Sequence, residues 1–168
     1  RFDAEETLRL IDAYRITHAY LVPTMYVRML RLPAEVRQRH DLSSVRFVAS
    51  TGSPCPPDVK RAMIDWWGPV IHESYGASEL GYMTRLDSQE ALRKPGSAGK
   101  PLPGVTVAIL DESGQALPQD HAGLIYVHQP AYADFTYIGN DAARQRMERS
   151  GMKTLGDVGY LDEDGFLF

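Results

Sequence analysis

The sequence predicts an α/β fold: a partial parallel-sheet α/β subdomain over residues 1–93, then a small antiparallel β-barrel-like subdomain over residues 94–168. Three observations predict it. Up to residue 93, helix-period and strand-period segments alternate, the order that builds a parallel sheet. Between Lys94 and Gly104 glycines and prolines break that alternation, a composition that suits a loop or junction. Beyond it come short strands with regular turns, the texture of a small antiparallel sheet or barrel.

Each element has its own cause. Asp3, with Glu6 three residues on, starts a helix that Leu8, Ile11 and Tyr14 or Arg15 continue at helical spacing. Thr17 to Val22 is a β-rich run stopped by Pro23. Thr24 is the expected cap of a helix from Met25 to Arg31, and Pro33 opens another to about Arg39. Val45 to Ala49 reads as a buried strand. Pro56-Pro57-Asp58 leads an amphipathic helix with Val59, Met63 and Trp66 or Trp67 on one face, ended by Gly68-Pro69. A strand from Val70 follows. In the second part, Val105 to Leu110 and Gly123 to Val127 are strands, with Asp111 to Gly114 as a hairpin turn. Asn140 caps a polar helix to Arg149. Met152 to Leu155, Tyr160-Leu161 and Phe166 to Phe168 are short strands, with Asp162 to Gly165 a turn between the last two.

Composition narrows the function classes. The 168 residues carry a formal charge of −4, which offers no basic face for nucleic acid. No apolar run reaches the roughly 20 residues of a membrane helix. A single cysteine, Cys55, excludes an intrachain disulfide framework and fits a reducing, cytoplasmic setting. The chain begins without methionine and ends on the apolar run Phe166-Leu167-Phe168, so a piece of a longer protein is expected. Oligomeric state is not legible.

Three stretches carry chemistry. Val70 to Ser74 is a short strand whose exit bears Tyr75, Gly76, Ser78 and Glu79. Ligands bind at the carboxyl ends of strands in such sheets. An aromatic face, a hydroxyl and a carboxylate there suit a nucleotide with its metal; the alternative is a strand-to-helix turn with Ser78 as helix cap. Thr51-Gly52-Ser53-Pro54 follows the preceding strand and could form a second wall, or only lead into the next helix. Asp157 lies between Gly156 and Val158-Gly159. Its two acceptor oxygens can take both hydroxyls of a ribose, or it can hold a tight turn through its own backbone.

Taken in order, these stretches resemble the adenylate-forming (AMP-binding) superfamily, which includes acyl-CoA synthetases, firefly-type luciferases and peptide-synthetase adenylation domains. Leu21-Val22-Pro23-Thr24-Met25 is similar to the family's "VPT" segment, and Ser53 to Pro57 to its adenine-wall segment. Tyr75-Gly76-Ala77-Ser78-Glu79 resembles YGxTE, and Gly99 to Gly104 the "GKPLPG" junction. Gly156 to Gly165 resembles "GDxGYLDEDG".

The resemblance implies an ATP- and Mg²⁺-dependent acid–thiol ligase of the fatty-acid–CoA ligase type. Such an enzyme activates a carboxylic acid as acyl-adenylate and passes it to coenzyme A. Tyr75 would stack on adenine, with Gly76 beside it and Gly52, Ser53 and Pro54 on the opposite face. Ser78 would bond the α-phosphate, Glu79 would hold Mg²⁺, and Asp157 would bind the ribose. His72 to Ser74 and Gly81 would lie near the acyl group. Ser78 keeps the hydroxyl of the family's threonine and lacks its methyl. Met152 stands where such ligases carry an aromatic, and Leu155 where a threonine is common. The family's phosphate-embracing loop and its lysine-bearing C-terminal domain have no counterpart in these residues, so they are expected to be inactive alone. The rival reading is a non-catalytic nucleotide-binding or scaffold module of the same fold.

Overall fold

Residues 2–168 are described by a computed structural model, and two units share them. The first holds the residues up to Ser74 together with Leu86–Ser97; the second holds Tyr75–Arg85 and Ala98–Phe168. The segment from Tyr75 to Arg85 thus leaves the first unit in the middle of its sequence. Among the described residues, no helix is long and apolar enough to cross a membrane.

In the first unit, α1 (Ala4–Tyr14) starts where expected: the Asp3 carboxylate accepts from the Glu6 N–H at 3.0 Å, satisfying a donor left open at the helix start. The Glu6 side chain pairs with Arg9 at 2.6 Å instead of closing a capping box. Three strands, β1 (His18–Leu21), β2 (Phe47–Ser50) and β3 (Ile71–Glu73), form a parallel sheet in that order. Parallel neighbours need crossovers. Those crossovers are α2 (Pro23–Leu30) with α3 (Ala34–Arg37), and then α4 (Pro57–Trp67). The expected cap at Thr24 is corrected: α2 begins at Pro23 with Val22 as N-cap and no side-chain bond, because proline's fixed φ already suits a first turn. Strand β2 starts two residues later than Val45, which is buried before the strand begins. Helix α5 (Ser88–Arg93) is set by a reciprocal capping box between Asp87 and Glu90. Leu8, Tyr26, Met29, Val48, Met63, Ile71 and Leu86 form the fully buried interior of this unit.

Strand β3 alternates. Ile71 and Glu73 are buried, whereas His72 is partly exposed and stacks on Phe47 with ring centroids 4.5 Å apart. Glu73 meets Lys60 of α4, Nζ to Oε2, at 2.7 Å with both side chains buried. Burial raises the Glu73 carboxyl above its ordinary range, and the Lys60 ammonium opposes that rise. The backbone of Glu73 also exchanges two hydrogen bonds with Leu86, at 2.9 and 2.8 Å. This pair closes the point where the chain departs toward Tyr75 and returns.

In the second unit, β4 (Gly76–Ala77) and β5 (Gly81–Tyr82) form a small antiparallel hairpin, and β6 (Thr84–Arg85) pairs with β7 (Lys100–Pro101). Strands β8 (Thr106–Leu110) and β9 (Gly123–His128) pair antiparallel along the whole of β8. The turn at Asp111 forms, but its backbone closes onto Gln115 at 2.9 Å, and β9 begins only after a further loop. Helix α6 (Asp141–Arg146) is capped by Asn140, which accepts from the Ala143 N–H at 3.2 Å. The helix ends before Arg149, because Glu148–Arg149 becomes β10 and pairs with β11 (Met152–Lys153). Strand β12 (Val158–Gly159) pairs with the start of β9, and β11 meets β9 near its end. Phe166 to Phe168 forms bridges rather than a strand; Tyr160 and Phe168 exchange backbone bonds at 3.0 and 2.9 Å.

The barrel-like expectation is corrected here. The five-stranded antiparallel sheet runs β10-β11-β9-β12, with β8 on the other side of β9, and it does not close. Along the edge of β9 opposite β8, strands β10, β11 and β12 are each two residues long, too short to tilt and curl round to β8. Leu80, Met83, Ile109, Ile125, Val127 and Leu167 make its core, with Tyr75 and Phe135 packed against it.

The buried pair yields a stability prediction. Lys60→Met leaves Glu73 buried without its counter-ion and should destabilise by about 3–5 kcal/mol in denaturant unfolding. Adding Glu73→Leu should recover most of that loss; no recovery would show that the packing, rather than the orphaned charge, was at fault.

Candidate functional site

The site is built on the Tyr75–Arg85 excursion. Tyr75 is fixed by its backbone: its N–H donates to Thr84 Oγ1 at 3.1 Å, and its carbonyl accepts from Met83 and Thr84 at 2.9 and 3.2 Å. Thr84, fully buried, donates in turn to the Ala98 carbonyl at 2.5 Å. The Tyr75 ring is therefore presented from a doubly anchored backbone, half-buried against the core of the second unit.

Two glycines are required by the hairpin. A Cβ on Gly76 would stand 2.6 Å from the Gly81 carbonyl oxygen, inside contact distance. Gly81 has φ +66° and lies directly under the Tyr132 ring, where any side chain would collide. Ser78 and Glu79 lie in the turn joining β4 and β5. No helix follows Ser78, so its alternative reading as a helix cap is overturned. The reason is local: Gly76 and Gly81 let the chain reverse as a tight hairpin before a helical turn can form.

Asp157 reaches the same place from 82 residues away. Tyr75 Oη donates to Asp157 Oδ2 at 2.6 Å. Burial raises the Tyr75 phenol above its ordinary value, and the hydrogen bond to Asp157 raises it further, so the hydroxyl stays a donor at neutral pH. The Asp157 side chain is exposed, while its own carbonyl accepts from Ile125 N–H at 2.9 Å and Gly156 N–H donates to Thr154 Oγ1 at 3.1 Å. The alternative in which Asp157 only ties its own turn is not what the side chain does: it accepts from Tyr75.

Glu79 accepts from Tyr137 Oη at 2.9 Å. Tyr137 belongs to a loop that the sequence did not mark. Ser78, three residues after Tyr75 in the same hairpin, is exposed. Tyr75, Gly76, Ser78, Glu79 and Asp157 therefore belong to one unit, four of them on one short hairpin and the fifth bonded to it. Gly52, Ser53 and Pro54 belong to the first unit, on an exposed loop directly after β2. Cys55 behind them is buried, and burial pushes its thiol up to about 12. Of the residues expected near an acyl group, Glu73 turns inward to Lys60.

Missed residues are of one kind. Thr84 and Tyr137 support the site through contacts with Tyr75 and Glu79, 9 and 58 positions away in sequence. Their residue types are ordinary, and no local spacing marks them.

The arrangement can grip a polar ligand with adjacent hydroxyls against an aromatic ring, with a second carboxylate and a hydroxyl close by in sequence. Comparison with known proteins identifies the family. A family model described as AMP-binding enzyme matches residues 1–134. A long-chain-fatty-acid–CoA ligase of Bacillus subtilis is 34% identical over 170 residues, covering 100% of this chain and 30% of that protein. Among solved structures, the amide bond synthetase McbA of Marinactinospora thermotolerans superposes with a TM-score of 0.90 at 32% identity, covering 99% of this chain and 34% of that one. The O-succinylbenzoate coenzyme A synthetase MenE of Bacillus subtilis, in complex with AMP, gives a TM-score of 0.83 at 28% identity, covering 100% and 34%. The chain thus spans about a third of the length of the relatives it matches.

The Tyr75–Asp157 bond can be read by titration. Asp157→Asn should lower the pH at which Tyr75 ionises toward the ordinary 10.0, because an amide no longer penalises the phenolate beside it. Ultraviolet absorbance of the phenolate, with Tyr75→Phe as the blank, measures this. An unchanged titration would mean that burial alone sets the Tyr75 value.

Proposed function

Because the chain belongs to the family of AMP-binding enzymes, we propose that it carries the adenosine-gripping part of an acid–thiol ligase. In that reaction a carboxylate oxygen attacks the α-phosphorus of ATP, the bond to pyrophosphate breaks, and the acyl-adenylate yields its acyl group to the sulfur of coenzyme A as AMP leaves. A carboxylic acid is the proposed substrate, and the names of the relatives, a fatty-acid–CoA ligase among them, support that class. The single buried, free Cys55 supports a reducing, cytoplasmic setting.

The observation that carries this reading is the 2.6 Å bond between Tyr75 and Asp157. In our reading the Tyr75 ring packs on adenine, and Asp157 offers its second oxygen to the ribose hydroxyls while Tyr75 steadies the first. Gly76 allows the close approach, and the Ser78 hydroxyl contacts the α-phosphate. An anionic nucleophile must approach an anionic phosphate, so fixed donors have to offset that repulsion.

The residues also fit Mg²⁺. Among the described residues no cluster of three or more His, Cys, Asp or Glu forms a self-contained cage. A lone carboxylate, Glu79, suits a small hard cation that keeps waters and takes its remaining ligands from substrate phosphates. Bound there, the ion would neutralise phosphate charge.

ATP–pyrophosphate exchange by the intact protein, run with a panel of carboxylic acids, tests the reaction. Acid-dependent exchange, with thioester formation once coenzyme A is added, is expected. Nucleotide binding without exchange for any acid would favour a non-catalytic module. Asp157→Ala should weaken ATP by at least about a hundredfold, since two hydrogen bonds to a charged group contribute roughly 1.5–3 kcal/mol each. Unchanged nucleotide affinity would remove Asp157 from the site.

A further inference from the structure

The loop between β9 and α6 is anchored more firmly than its exposure suggests. Asp134 Oδ1 is held at 2.7 Å by both Arg144 Nη2 of α6 and Lys153 Nζ of β11. Arg144 is itself buried; it also donates from Nε to the Phe135 carbonyl at 3.0 Å and pairs with Glu148 at 2.7 Å. The Phe135 ring lies under the Arg144 guanidinium at 5.1 Å and packs on the unit's core. Thr136 donates to Asp141 at 2.6 Å. The next residue, Tyr137, sets its ring edge-on to Phe135 at 5.6 Å, receives the Asn140 N–H on its carbonyl at 2.9 Å, and points its hydroxyl at Glu79 Oε1. Two cations, an aromatic anchor and two local bonds thus hold the loop from which that hydroxyl projects.

We propose that Tyr137 is a positioning residue for Glu79: through the Asp134–Arg144–Lys153 anchor it holds one carboxylate oxygen so that the other faces the metal and the phosphates. This rests on Glu79 being the metal-holding carboxylate. An unbuttressed glutamate on a turn samples several rotamers, and only some of them reach the ion. Fixing it in advance lowers the ordering cost of metal binding. The role also accounts for the anchor, because a loop with no task needs no buried arginine.

Tyr137→Phe keeps the ring and removes only the hydroxyl. Mn²⁺ is the probe, titrated by electron paramagnetic resonance into the intact protein with ATP present, alongside AMP affinity and thermal unfolding. The variant should bind Mn²⁺ about tenfold more weakly, as loss of one hydrogen bond to a charged group predicts, with AMP affinity and unfolding midpoint unchanged. Saturating Mg²⁺ should restore kcat, a rescue that a merely structural defect would not give. Mn²⁺ binding equal to or tighter than wild type, in a protein where Glu79→Gln abolishes it, would overturn the positioning role alone. If Glu79→Gln leaves Mn²⁺ binding intact, the metal assignment of Glu79 fails and this inference falls with it.

Discussion

A single hydrogen bond, Tyr75 Oη to Asp157 Oδ2, joins the two motifs on which the functional reading depends. It spans a sequence separation whose loop-closure cost no single bond could meet. What makes it possible is the packing beneath: Leu80 and Met83 from the excursion share one apolar core with Ile109, Ile125, Val127 and Leu167. Core burial at roughly 25 cal/mol per Å² of apolar surface supplies the stability, and the polar pair exploits a proximity already established. The shared carboxylate then has one oxygen steadied and one to offer.

The excursion is also controlled from its base. The Glu73–Leu86 backbone pair closes the exit from β3, and Lys60 holds the Glu73 side chain inside the first unit. A buried ion pair is a poor source of net stability, because desolvation consumes most of the attraction. It does penalise every arrangement in which Glu73 turns outward, since that would leave a buried Lys60 alone. The inward face of β3 within the first unit is thereby specified.

Much of the local structure was legible because its causes are local. Asp3 captures the Glu6 N–H, Pro57 opens α4, Asn140 caps α6, and each needs only neighbours a turn away. The misreadings share a cause. Thr24 yielded to Pro23 because a fixed φ outweighs a side-chain cap at that position. The predicted helix to Arg149 stops early because β11 offers Glu148 and Arg149 ladder bonds that helical propensity cannot foresee. Ser78, read alternatively as a cap, instead turns a hairpin pinned by Gly76 against Gly81.

The amino-acid order alone determined the parallel β1–β3 arrangement, the family and the list of residues worth weighing, because alternation, caps and short motifs are written within a few positions of one another. Which of those residues meet was decided by the tertiary structure. That Asp157 lies against Tyr75, that Glu73 faces Lys60, and that Tyr137 holds Glu79 are consequences of side-chain packing between distant segments. No periodicity encodes them, since a contact between separate elements leaves no mark on the spacing of either partner.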